Sequence, residues 1–190
     1  MGGNRGFSLT ELMVTLVIAA IVMTAAVPSF SHYTQSNRVT AGINDLVTAL
    51  HFARAEALTQ QQRITICKSA DGASCHTGGE SGDWSQGWIV FADPDDPGSV
   101  NDGEEILRVM GPISGIASYI GNTNVVNRVS FKAQGLTDGT MGTITLCDSR
   151  GASYAAAIII SFGGRIRQAT DSNDDGIVED GDGSNVTCPG

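Results

Sequence analysis

The sequence predicts an α+β fold: a long N-terminal helix, hydrophobic at first and then amphipathic, packed on an antiparallel β-sheet domain. Three observations lead there. From Phe7 to Val27 the only strongly polar side chain is Glu11. A helical repeat of apolar residues follows. Beyond Arg63 the pattern changes to short β-rich runs divided by Gly, Asp, Asn and Ser.

The elements follow in order. Residues 1–6 form a short leader that contains Arg5 and ends at Gly6. Residues 7–28 can cross a membrane, because about 20 apolar residues suffice for a spanning helix. A secretory signal cleaved near Ala26 is the alternative, and it fits less well because the run is long, carries an acid and meets Pro28. Glu11 requires a partner, since a carboxylate in hydrocarbon costs several kcal/mol unless it is paired or neutralised.

Residues 29–62 form the amphipathic half of the helix. Val39, Ile43, Leu46, Val47, Leu50, Ala53 and Ala57 recur at helical spacing and define one buried face. Residues 63–170 form the β-rich domain. Its runs "RITICK", "GWIVFA", "EILRVM", "VSFKA", "TITLC" and "AAAIIISF" are joined by turns too short for crossover helices, which selects an antiparallel sheet. The stretch Asp93 to Glu105 reads as an acidic surface loop, and residues 171–190 as an acidic C-terminal tail.

Four cysteines, Cys67, Cys75, Cys147 and Cys188, follow an export-like N-terminus, and the chain has no CxxC pair. That favours disulfides over metal ligation. Three pairings are formally open, and the short Cys67 to Cys75 loop would leave Cys147 with Cys188. Enzymatic chemistry finds little support: His32, His51 and His76 are scattered, and neither a GxSxG nor a P-loop occurs.

The series of a leader ending in Gly6, then Phe7, Glu11, an apolar helix and Pro28 resembles a type IV prepilin. The resemblance implies that a prepilin peptidase cuts after Gly6 and that the new amino terminus on Phe7 is methylated. It also implies that Glu11 meets the positive N-terminus of a neighbouring subunit in the filament. "ARAEALTQQQRITIC" from Ala53, "WSQGWIVFAD" from Trp84 and "ISFGGRIRQ" from Ile160 resemble the GspH/FimT branch of minor pilins and pseudopilins. The function this implies is that of a minor type IV pilin in pilus assembly or at the tip, with other major and minor pilins as partners. The alternative is a GspH-like pseudopilin of a type II secretion system. Either begins as a single-pass inner-membrane protein with a periplasm-facing domain, and the pilin is then displayed on the cell surface.

"GRIRQ", Gly164 to Gln168, resembles a motif of the FimT branch that binds DNA in natural transformation. That would assign Arg165 and Arg167 to double-stranded DNA. The formal net charge of -9 opposes phosphate binding. Its distribution favours it: between Leu107 and Thr170, Arg108, Arg128, Lys132, Arg150, Arg165 and Arg167 face only Asp138 and Asp148. Two residues apart on a strand, Arg165 and Arg167 share a face.

No cofactor is required by these motifs, but "DSNDDGIVEDGD" has the spacing of a calcium loop. Its ligands would be Asp171, Asn173, Asp175, the Ile177 carbonyl, Glu179 and Asp182, with Asp182 replacing the usual bidentate glutamate.

Overall fold

The computed structural model describes residues 6–76, 84–95, 98–101, 103–122 and 124–189, and only the backbone of 25–29. Leader residues Met1 to Arg5 lie outside the described residues. The chain divides into two compact units, Met1–Asn37 and Arg38–Gly190. One helix, α1 (Leu9–Gln60), contributes to both.

In the first unit α1 begins at a reciprocal cap. The Ser8 hydroxyl accepts the Glu11 amide at 3.2 Å, and the Glu11 carboxylate accepts the Ser8 amide at 3.5 Å. This is the capping box, which satisfies two of the amides a helix start leaves open. The hydroxyls of Thr15, Thr24 and Thr34 donate to the carbonyls of Leu12, Ile21 and Phe30. Each threonine thus meets its polar requirement within its own helix.

In the second unit Val39, Ile43, Leu46, Leu50, Ala53 and Ala57 are buried and Val47 is half-buried, the face the spacing predicts. Gly42 belongs to this face for a steric reason: a Cβ there would lie 2.9 Å from Leu146 Cδ1. The backbone can therefore come close, and the Gly42 carbonyl accepts the buried Tyr119 hydroxyl at 3.2 Å. Burial pushes the Tyr119 pKa well above its ordinary value, and Asp45 adds to the effect. α1 closes at Gln61, which has a left-handed φ of 53°.

The β-region forms two antiparallel sheets, where the sequence pattern implied one. The strands are β1 (Ile64–Lys68), β2 (Trp88–Ala92), β3 (Ile106–Met110), β4 (Ser118–Gly121), β5 (Arg128–Phe131), β6 (Gly142–Cys147), β7 (Ala156–Ile160) and β8 (Ile166–Gln168). The first sheet has the order β3-β2-β1-β5 and the second β4-β6-β7-β8. The chain changes sheet at β4, returns for β5, and leaves again for β6 to β8. A two-residue period reports which side chains share a face, not which strand pairs with which, so this division was invisible in the runs. Strands β4 and β8 were also absent from the expected runs.

One core joins both sheets to α1, with Ile64, Ile66, Trp88, Val90, Val129 and Phe131 from the first and Tyr119, Ile144, Leu146, Ile158 and Ile160 from the second. Trp84 and Trp88 are core residues. The Trp84 indole donates to the Val125 carbonyl at 3.2 Å, and Trp88 meets Tyr119 edge to face. The other face of the first sheet buries Cys67, Ile89 and Phe91 beneath Cys75, Val100 and Ile106.

The disulfides are Cys67–Cys75 and Cys147–Cys188. The second fixes the C-terminal segment beside the second sheet. There the Gly181 amide donates to the Thr143 hydroxyl at 3.0 Å, Glu179 bridges to Asn185, and Val186 is buried.

Candidate functional site

The N-terminal unit leaves its apolar side chains uncovered. Phe7 is 82% exposed, Leu9 78%, and Leu12, Met13, Val14, Leu16, Val17, Ile18, Ile21, Val22 and Met23 all exceed half exposure. A helix apolar all round needs a covering of lipid or protein. Gly6 is exposed, and space around it is open within 4 Å. Among the described residues no helix is long and apolar enough to cross a membrane, which leaves the expected spanning segment 7–28 without direct support. The side chains of residues 25–29, Pro28 included, lie outside the described ones.

The basic residues separate into engaged and unengaged groups. Arg108 stacks on the Phe52 ring at 3.7 Å. Arg128 packs so closely on Gly98 that a Cβ there would lie 1.5 Å from its Nη1. Lys132 pairs with Asp138 at 2.8 Å, and Arg150 pairs with Asp148 at 2.5 Å while stacking on Tyr154. Arg165 and Arg167 are exposed, and neither guanidinium joins an ion pair among the described residues. The positive block read from the sequence therefore reduces to these two side chains.

Arg167 lies on β8, an edge strand, opposite Ile159, and Arg165 directly precedes that strand. Between them Ile166 is buried, so alternation turns both arginines outward. Their turn is fixed from below. Gly164 has φ +73°, and a Cβ on it would meet the Gly135 carbonyl oxygen at 2.0 Å. Arg54 donates from Nε to Gly135 and from Nη2 to the Gly163 carbonyl at 3.2 Å. The Gln168 amide donates to Asn44 at 2.9 Å. Arg54 and Gly135 were not singled out in the sequence, because their roles depend on contacts more than eighty residues apart along the chain.

The acidic segment is folded rather than extended. Asp171 accepts the amides of Asp175 and Gly176, Asn173 accepts that of Asp175, and Asp175 accepts that of Ile177. Asp182 is exposed. Hydrogen bonds, first from Asn185 and then from the Ile177 amide, hold the Asp175 carboxyl below its ordinary pKa.

Among the described residues, the acidic groups that converge to within 4.8 Å of one another are instead Asp93, Asp95 and Glu104. This corrects the reading of Asp93 to Glu105 as a plain surface loop: Asp93 is fully buried and accepts the Thr65 hydroxyl at 2.6 Å. Desolvation, and then the charges of Asp93 and Asp95, raise the Glu104 pKa.

A long helix whose apolar N-terminal side chains are uncovered and whose second half packs on antiparallel sheets is the architecture of a type IV pilin-like subunit. The chain belongs to the family described as type II transport protein GspH, whose model matches residues 42–164. A prokaryotic N-terminal methylation motif matches residues 1–27. Two crystal structures of the type IV minor pilin FimU from Pseudomonas aeruginosa PAO1 share the fold. One is 21% identical over 73% of this chain and 92% of its own, with a TM-score of 0.55. The other is 20% identical over 69% and 92%, with a TM-score of 0.53. No curated protein matches the chain. Members of this minor pilin and pseudopilin family are structural subunits rather than enzymes.

Proposed function

We propose that the protein is a minor type IV pilin, inserted in the inner membrane through its N-terminal helix and then assembled into a pilus. The observation that carries this is the uncovered apolar surface from Phe7 to Met23, placed directly after Gly6. Prepilin peptidase frees and methylates Phe7, the membrane covers the apolar helix before assembly, and neighbouring pilins cover it afterwards. The GspH-like pseudopilin of a type II secretion system remains the second reading, favoured by the family match over residues 42–164. Mass spectrometry of sheared surface pili tests the choice. Recovery of this chain with an N-methylated Phe7 terminus supports the pilin. Its absence from pili, with loss of secretion when the gene is deleted, supports the pseudopilin.

Within the pilin reading, Arg165 and Arg167 contact double-stranded DNA through phosphates. Both are exposed on one face, and neither is engaged in an ion pair among the described residues. Gel shifts of purified pili at low and moderate salt, comparing wild type with Arg165→Gln, Arg167→Gln, test this. Each lost phosphate contact lowers the salt slope by about 0.9. Equal binding by the double variant would remove DNA from the function.

A further inference from the structure

We propose that residues 171–182 form a calcium site in which the buried Glu179, rather than the exposed Asp182, completes a set begun by Asp171, Asn173, Asp175 and the Ile177 carbonyl.

Glu179 supplies the evidence that spacing alone could not. It is only 6% exposed, and its Oε2 accepts the Ser172 amide at 2.8 Å and the Ser172 hydroxyl at 3.1 Å. Its Oε1 is buried without a hydrogen-bond partner among the described residues. A buried carboxylate oxygen left unpaired is costly, and a cation is its natural counterpart. Both bonds come from Ser172, which stands between Asp171 and Asn173 in the sequence. Asp182 has no such placement and is exposed to solvent.

The charge of the segment points the same way. Asp171, Asp174, Asp175, Glu179, Asp180 and Asp182 fall within twelve positions, and no lysine or arginine follows Arg167. None of the six joins an ion pair among the described residues. Six like charges share one short segment without a counter-charge among the described residues, and a divalent ion relieves their repulsion. The donors are all oxygens on a short loop, which suits a hard cation with flexible coordination and so favours calcium over zinc or magnesium. No three of these carboxylates lie within 4.8 Å of one another. Binding therefore draws the loop inward.

The test uses the full chain in detergent micelles, with calorimetric titration of calcium chloride and thermal melts in calcium, magnesium or chelator. One ion per chain is expected, with a Kd below about 1 mM and a higher melting temperature in calcium than in magnesium. Glu179→Gln should weaken binding by about tenfold or more, and Asp182→Asn by less than about threefold. If Glu179→Gln does not fold, Asp175→Asn serves in its place, because Asp175 is exposed. Absence of both heat and melting shift in wild type at about 5 mM calcium overturns the site. Binding that survives Glu179→Gln and Asp175→Asn but is lost in Glu104→Gln moves the ion to Asp93, Asp95 and Glu104 and also overturns it. Loss in Asp182→Asn as great as in Glu179→Gln overturns the assignment of Glu179.

Discussion

Arg54 donates from Nε to the Gly135 carbonyl at 3.0 Å, and that same carbonyl oxygen is where a side chain on Gly164 would collide. Helix α1, the turn at Gly135 and the turn before Arg165 thus meet at one oxygen, which fixes the direction in which Arg165 and Arg167 leave the surface.

Substitution at this junction has an expected order. Arg54→Ala leaves the Gly135 and Gly163 carbonyls without their donor and costs about 1 to 3 kcal/mol. Gly164→Ala adds a left-handed backbone penalty of about 1 to 3 kcal/mol to a direct clash, so it should be the more harmful. Urea midpoints of the two variants check the order, and a Gly164→Ala variant as stable as wild type would show that the turn is free to move.

Glu11 has two roles to separate, the cap of α1 and a charge for a neighbouring subunit. Glu11→Gln keeps a side-chain oxygen for the Ser8 amide but removes the charge, whereas Glu11→Ala removes both and weakens the helix start. If pairing with a neighbour's N-terminus governs assembly, both variants should insert in the membrane and be depleted from sheared pili. Wild-type levels of Glu11→Gln in pili would leave only the capping role.

Asp138 predicts an acid-dependent loss of stability. Hydrogen bonds from Lys132 and then Arg63 hold its carboxyl below the ordinary value of 3.8. A folded pKa lowered in this way contributes stability that is present above 3.8 and disappears as pH falls through the folded value. Asp138→Asn should therefore be less stable than wild type at neutral pH, by roughly 0.5 to 1 kcal/mol for a partly exposed pair. The two should converge in strong acid. Denaturant midpoints measured across the acid range check the convergence.

The two disulfides should differ in weight. Their separations are 41 residues for Cys147–Cys188 and 8 for Cys67–Cys75. In the chain-entropy account the longer loop contributes about 1.5 kcal/mol more. The paired change Cys147→Ser, Cys188→Ser should lower the melting temperature further than Cys67→Ser, Cys75→Ser. It should also increase amide exchange across 171–189, where the bond holds the segment.

Some of this protein could be read from the sequence alone because local physics is enough. The helical repeat from Val39 to Ala57 marks a buried stripe whatever it packs against, and the runs around Ile64, Trp88 and Ile158 suit only strands. Glu11 in its apolar setting calls for a partner by its desolvation cost. Tertiary structure decided the rest, because those outcomes depend on residues distant along the chain. Among the described residues it divided eight strands between two sheets, buried Asp93 within a stretch that looks solvated, and engaged Arg108, Arg128, Lys132 and Arg150 while leaving Arg165 and Arg167 exposed. Composition gives the number of charges, but only packing settles which are already paired. The surroundings of Glu179 fall on the same side of that line: its spacing is written in the sequence, and its buried oxygen, without a hydrogen-bond partner among the described residues, is made by the fold.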